Sequence, residues 1–531
     1  MRTWIPVKNK IGRRSFLETG AAAAAGLYLT GCGASASADP LAETTYGRLR
    51  GAVRDGVSAF KGIRYGAPTD GPLRFLPPTK PASWTGVQDA LVYGPEAPQA
   101  HPHTEIEEVR ATIPADHTVS EDCLCLNVWT KQLGSAKRLP VMVWLHGGGF
   151  TSGNGGYTIY DGENLARKRD VVTVTVNHRL NTFGFLYLAE IGGEKFAQSS
   201  NVGMFDIVAA LEWVRDNIAA FGGDPQNVTI YGQSGGAGKV STLLAMPAAK
   251  GLFHKAIIQS GAALKGVPRA DATKGARILM DKLGAKTVED LQKLTMAEII
   301  EGARGVEGLR LSPVVDGSTL PRDPFTPDAP AISANVPVLL GTVETEVTFF
   351  PNQPIDPIDD AELLKRVKAA ANADDRQAKH LIDLYRRGRP NVSNIDVALI
   401  VESDTRFRPG VLAEAERKSA QPAPVYMYYF TWRSPVHDGK LKSFHTLEIP
   451  FVTANVDNAQ SMTGMGQDRY ALEDKMSIAW TEFARTGNPN HPGLPTWPAF
   501  NTTERATMIF NNECKVVNDP NGAERKALAN L

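Results

Sequence analysis

Asn227-Val-Thr-Ile-Tyr-Gly-Gln-Ser-Gly-Gly236 is the stretch whose reading decides the fold. Asn227 to Tyr231 carries β-branched and aromatic residues and then breaks, the mark of a short buried strand. Gly232-Gln-Ser-Gly-Gly236 fits the pattern G-x-S-x-G, and small, helix-compatible residues follow through Ala245. Strand, tight turn and helix form the context in which that pattern carries chemistry. So sharp a turn strains the serine backbone, and flanking glycines let strand and helix pass close. The Ser234 hydroxyl then stands at a helix N-terminus, where negative charge is stabilised. The plainer reading, a Gly-rich turn with an incidental serine, has to be weighed against the rest of the chain.

The chain has 531 residues, 42% hydrophobic and 21% charged, with zero formal net charge. That is a globular composition with ample core, and it implies no nucleic-acid partner. Four cysteines are too few for a disulfide scaffold. Residues 1–38 read as a targeting segment and linker. Arg13-Arg-Ser-Phe-Leu17 resembles a twin-arginine export signal, followed by an alanine-rich apolar run too short to span a bilayer. Leu29-Thr-Gly-Cys32 resembles a lipoprotein box, which makes Cys32 a lipidation candidate and gives a possible membrane attachment; Ala36-Ser-Ala38 offers an ordinary cleavage site instead. Either reading sends the protein to the periplasm or the cell envelope of a bacterium.

From Thr44 to Pro78, Gly-rich alternating segments (Thr45–Gly51, Ala59–Tyr65, Pro72–Phe75) read as antiparallel edge strands. His101, His103 and His117 lie in an aperiodic segment whose spacing matches no common metal site, so a solvated loop is expected there. Buried strands follow: one opened by Glu121–Trp129, then Val141–Leu145, which ends in His146-Gly-Gly-Gly-Phe150, and Asp170–Val176. Val202–Phe221 has helical spacing, and Lys255–Ser260 is a further strand. Strands alternating with helices imply a mostly parallel sheet flanked by helices. Residues 270–335 read as an inserted helical cap, Val336–Gly341 returns to the sheet, 360–420 is helical in pieces, and Val425–Trp432 is the last strong strand. Asp468–Thr486 reads as a helix stopped by Gly487-Asn-Pro489.

Acyl transfer needs a nucleophile, a base, a group that orients the base, and donors for an oxyanion. With Ser234 as nucleophile in this strand-turn-helix context, acid and then histidine follow it in the chain. Of the downstream histidines, His254 comes too early, His380 sits on a charged helix and His491 in a Pro-rich turn. His437 and His445 both follow the last strong strand, where the base belongs.

Glu121–Trp129, His146–Phe150, Phe221–Ser234 and Gln259-Ser-Gly261 together resemble the type-B carboxylesterases, a family that includes para-nitrobenzyl esterases and cholinesterases. The resemblance spans about Thr44 to the C-terminal region. It implies an α/β-hydrolase domain over 39–531 that cleaves small-molecule carboxylic esters without metal or cofactor. It selects His445, in Ser443-Phe-His-Thr-Leu-Glu-Ile-Pro-Phe451, as the base. It selects Glu346, five residues after Gly341, as the acid. Asp316 is the rival acid and reads as a turn residue; Glu344 reads as a solvated neighbour. The oxyanion hole matches Gly148, Gly149 and the N–H of Gly235, and Ser260 matches a serine behind the triad.

Three positions depart from the family. Gly235-Gly236 stands where relatives usually carry Ala-Gly, with Gln233 for a common Glu, which suggests a looser turn. Ala97 occupies the place of the cysteine that often pairs with the counterpart of Cys123, so free thiols are expected, with Cys514 unassigned. Ile113 stands where cholinesterases carry a tryptophan, so no cage for a quaternary ammonium is expected. Thioester, lactone or amide hydrolysis on the same residues is the alternative enzyme reading. A non-catalytic member on the same fold is the alternative of another class.

Overall fold

The computed structural model describes residues 39–100, 105–115 and 118–531. The export signal, Cys32, both cleavage motifs and His101, His103 and His117 lie outside the described residues. Residues 39–531 form one compact unit.

Sixteen strands occur among the described residues: β1 (Leu41–Glu43), β2 (Arg48–Arg50), β3 (Ala52–Arg54), β4 (Val57–Arg64), β5 (Val87–Asp89), β6 (Cys125–Thr130), β7 (Leu139–Leu145), β8 (Val172–Val176), β9 (Gly223–Gln233), β10 (Lys255–Gln259), β11 (Val267–Pro268), β12 (Val314–Val315), β13 (Val338–Val343), β14 (Val425–Phe430), β15 (Ala506–Phe510) and β16 (Lys515–Asn518). Eleven of them build the central sheet in the order β16-β15-β14-β13-β10-β9-β7-β8-β6-β4-β3. The strands from β15 to β8 run parallel, and antiparallel strands close both ends. This is the mostly parallel, helix-flanked sheet expected from the alternation of strands and helices, and the α/β-hydrolase architecture that the family resemblance implies.

Side chains leave a strand on alternate faces, so each parallel strand feeds two cores. Val141, Val143 and Leu145 of β7 pack with Ile207, Leu211, Val214, Val240 and Leu244 from the helices Val202–Asn217 and Gly235–Ala245. Met142 and Trp144 of the same strand pack on the other face, with Leu472, Met476, Trp480 and Phe483 of the helix Asp468–Thr486. Each fully buried Val, Leu or Ile contributes roughly 1.5–3 kcal/mol, so the doubly covered strands anchor the molecule.

Residues 269–303 form three helices, Arg269–Leu283, Val288–Lys293 and Met296–Ala303. Ala276, Leu279, Met280 and Leu291 pack on Phe75, Leu186 and Phe196. Helices also span Asp360–Ala371, Asp375–Arg387, Asn394–Arg406 and Arg408–Ser419.

Two local expectations change. Pro72–Phe75 is not a strand: Gly71–Leu73 is a 3-10 turn. Pro72 has no N–H for a ladder, and buried Arg74 turns inward to Glu121 at 2.8 Å. The segment Thr45–Gly51 does pair, but its strand β2 joins β1 and β5 in a separate small sheet.

Candidate active site

β9 ends at Gln233, and Ser234 turns the chain into the helix Gly235–Ala245. Ser234 has φ 58° and ψ −123°, a backbone conformation that residues other than glycine rarely adopt. Its N–H donates to Gln259 O at 2.8 Å, which ties the turn to the end of β10. The turn is tight because backbone meets backbone. A Cβ at Gly235 would lie 2.1 Å from Gly149 O, and one at Gly236 would lie 2.0 Å from Leu145 O. Gly235 and Gly236 therefore stand where the facing carbonyls of Gly149 and Leu145 leave no room for a Cβ unless the backbone shifts.

That glycine segment follows β7. Gly148 and Gly149 have φ +84° and +63°. Gly148 O accepts from Thr151 N–H at 3.2 Å and Ser152 N–H at 3.1 Å. Asn181 N–H holds Phe150 O at 2.7 Å, and Gly153 N–H is held by Gln99 Oε1 at 2.7 Å. The N–H groups of Gly148 and Gly149 make no hydrogen bond among the described residues. Gly235 N–H, first in its helix, has no intrahelical partner either.

The acid and the base arrive from distant segments. Glu346 follows β13 and opens a 3-10 turn; its Oε1 accepts Val343 N–H at 3.0 Å. His445 follows β14, and its Nδ1 meets Glu346 Oε2 at 2.5 Å. This contact fixes the ring so that Nε2 is left for a second partner. Glu346 is 1% and His445 2% exposed. The two segments are laced together: Thr345 N–H donates to Ser443 O at 3.0 Å, and Ser443 N–H to Thr345 Oγ1 at 2.9 Å. Phe349 meets the His445 ring at 5.2 Å and Phe407 at 5.0 Å between centroids.

Ser234, His445, Gly148 and Gly149 line one cavity of about 500 Å³. Its walls are largely apolar and aromatic, with Val109, Ile113, Tyr157, Ile159, Phe349, Phe350, Phe407 and Ile449, plus the charged Glu105 and Arg406. All the groups singled out leave from the C-terminal ends of β7, β9, β13 and β14, where open α/β sheets hold their ligands.

The rival residues are elsewhere. His437 is exposed, and its Nε2 meets Glu108 at 2.5 Å. Asp316 caps its own turn, accepting N–H groups of Ser318 at 2.9 Å and Thr319 at 2.8 Å. Glu344 corrects the sequence reading: it is not solvated but only 9% exposed, paired with Arg433 Nη2 at 2.9 Å. Ser260 Oγ lies 3.5 Å from Glu448 Oε1, a carboxyl that also feels the charge of Glu346.

Sequence reasoning passed over several buried ionisable groups, Glu448 and Lys239 among them. Glu448, two residues beyond Thr446, has one carboxyl oxygen without a partner. Burial, and then the nearby charge of Glu346, push its pKa up to about 8. Lys239 lies in the helix after Ser234, fully buried, and donates from Nζ to His146 O at 2.8 Å. Burial lowers its pKa to about 7. The neighbouring His146 and His178 rings stack at 4.9 Å, and burial, then the charge of Lys239, hold both well below the ordinary histidine range. Neutral rings suit the contacts made by Nδ1: to Gly147 O at 2.9 Å and to Arg179 O at 2.8 Å. A lone lysine in an otherwise small and apolar helix was the available signal for Lys239. Among the described residues, no cluster of His, Cys, Asp and Glu is arranged to hold a metal ion.

The carboxylesterase family profile matches residues 38–528. The para-nitrobenzyl esterase of Bacillus subtilis (strain 168) is 37% identical over 498 residues, covering 91% of this chain and 97% of that protein. The phenmedipham hydrolase of Pseudarthrobacter oxydans is 34% identical over 493 residues, covering 89% and 95%. Among solved structures, a Geobacillus stearothermophilus carboxylesterase aligns with TM-score 0.78 at 36% identity, covering 92% of this chain and 99% of its own. A Clostridium hathewayi esterase described as able to hydrolyse aliphatic aromatic polyesters aligns with TM-score 0.81 at 34% identity, covering 93% and 98%.

Proposed function

Because the chain belongs to the carboxylesterase family and is a carboxylic ester hydrolase, we propose that it cleaves its esters through an acyl-enzyme on Ser234, His445 and Glu346. One observation carries the reading: Glu346 holds His445 by Nδ1 in the cavity that Ser234 lines, beside backbone N–H groups without partners. Ser234 attacks the ester carbonyl while His445 Nε2 takes its proton. The carbonyl oxygen, now anionic, is stabilised by the N–H groups of Gly148, Gly149 and Gly235. His445 returns the proton to the departing alcohol, and Glu346 stabilises the imidazolium that forms in between. Water then attacks the acyl-enzyme with His445 again as base, which frees the acid and regenerates Ser234.

The substrates we infer are neutral esters of short to medium acyl chains, in preference to choline esters and long-chain triglycerides. Ile113 in the cavity wall has no ring face to attract a cation, an interaction worth about 0.5–2 kcal/mol. The formal net charge, zero over the whole sequence and −4 without residues 1–31, is too small to set up a strong steering field for ionic substrates. A cavity of about 500 Å³ with aromatic walls suits an aryl or short aliphatic ester.

The test compares kcat/KM for 4-nitrophenyl butyrate, butyrylcholine and emulsified triolein, using the native enzyme and Ser234→Ala, His445→Ala and Glu346→Gln. The aryl ester should be preferred, and each variant should lose on the order of 10⁴-fold in kcat with its circular dichroism unchanged. An active Ser234→Ala would overturn the nucleophile. Butyrylcholine equal to the aryl ester would overturn the substrate class.

A further inference from the structure

Lys239 is an expensive residue to keep where it stands. Its side chain is fully buried, and no carboxylate pairs with it among the described residues. A methionine would fill the same volume without burying an amine. The amine is spent on one contact, the 2.8 Å bond to the carbonyl of His146. His146 is the last residue before Gly147-Gly148-Gly149. On its other side the ammonium lies 5.9 Å from the ring of Phe150, the residue that closes this segment. Farther along, Asn181 holds Phe150 and Gln99 holds Gly153 through their own bonds. At the entry, His146 Nδ1 meets Gly147 O at 2.9 Å, but that bond is local; Lys239 ties the entry to the helix that carries the nucleophile. Two of the three glycines there have positive φ and no side chain to fix them. The amine donates to the carbonyl whether charged or neutral.

We propose that Lys239 is a positioning residue for the oxyanion segment, tying the carbonyl of His146 to the helix that begins at the nucleophile so that the Gly148 and Gly149 N–H groups stay aimed at the developing oxyanion. The inference rests on the acyl-enzyme reading above. Ser234 and the glycine segment belong to separate stretches of chain, and Lys239 bridges them from the helix that carries the serine. Displacement of oxyanion donors acts on the transition state, not on the ground-state complex.

Lys239→Met is the decisive variant. With 4-nitrophenyl butyrate, kcat should fall about 10- to 100-fold while KM stays within about threefold. A trifluoromethyl ketone, whose adduct with the serine places an oxyanion on the same donors, should lose affinity by the same factor. The melting temperature should change little, because the gain from removing a buried amine is offset by leaving the His146 carbonyl without its donor. A merely structural lysine would show the reverse, a lower melting temperature with little change in kcat. An unchanged kcat, or an unchanged ketone affinity, would overturn the proposal. If Lys239→Met does not fold, the lysine has a structural role beyond positioning. Lys239→Gln then decides by the same three measurements: a lowered kcat at unchanged KM supports the proposal and an unchanged kcat overturns it. Ser234→Ala run alongside separates the two failures. If it stays active the acyl-enzyme reading has failed; if it is dead while Lys239→Met is fully active, only the role of Lys239 has.

Discussion

The two halves of the candidate site are held together by different means. On the nucleophile side, backbone rests on backbone: a Cβ added at Gly235 or Gly261 would come within 2.1 Å of Gly149 O or 2.3 Å of Ser234 O. On the base side, side chains lace one loop to another: Glu346 to His445, Thr345 to Ser443, and Thr348 to Leu441 O at 2.8 Å. Backbone contact leaves no slack, so its tolerance to substitution is a matter of fractions of an ångström. A hydrogen-bonded lace loses one strand at a time, at roughly 1–3 kcal/mol for each buried donor or acceptor left without a partner.

Gly235→Ala should break the nucleophile side and is the largest of three expected effects. The new methyl must push the glycine segment away, and a displacement near 1 Å costs about 100-fold in kcat/KM. Steady-state kinetics on an aryl ester check this; activity within threefold of the native enzyme would show that the glycine segment has slack after all.

The base side is sharpened by Glu448→Gln. Glu448 stays protonated in the folded protein up to about pH 8, but an unfolded chain loses that proton near 4.5. Between those values the folded state binds more protons, so stability drops as pH rises. Replacing the carboxyl with an amide removes that slope. The melting temperature of Glu448→Gln relative to the native protein should therefore rise by about 4 °C between pH 5 and pH 8. Lys239 works in the other direction: from about pH 7 up to the ordinary lysine value the unfolded state binds more protons, so stability recovers as pH rises. Parallel melting curves for the two Glu448 forms at all pH values would refute the assignment.

The smallest effect belongs to His437, which lies after the same strand as His445 yet faces Glu108 at the surface. His437→Ala should leave kcat/KM within about twofold. A dead His437→Ala beside an active His445→Ala would exchange their roles.

The nucleophile side was legible in the sequence because it is contiguous. Ten residues carry strand, turn and helix, and the observed strand and helix flank Ser234 where the pattern put them. The base side was legible only in outline. Histidine position relative to the last strand left His437 and His445 level, and the family resemblance selected between them. What separates them is which way each loop folds, and that follows from bonds such as Thr345 to Ser443, 98 residues apart. Glu344 was misread for the same reason: its partner Arg433 is distant in sequence and reaches it only once β13 and β14 lie side by side. Glu448 lies three residues after His445, and nothing local announces that its side chain is buried near Glu346. The Pro72 turn, by contrast, is legible locally, because a proline there argues against a ladder strand.

The three described cysteines are buried free thiols. Burial pushes Cys125 up to about 12 and Cys123 well above the ordinary thiol value, so almost none of either is thiolate, the reactive form, while the protein is folded. Cys125 opens β6, inside the sheet between β4 and β8, whereas Cys514 sits in the turn joining β15 to the edge strand β16. An alkylating reagent can mark each only as fast as its surroundings open. Cys514 thus times the fraying of the sheet's edge, and Cys123 and Cys125 time the opening of its interior: two clocks of different speed, with no label introduced.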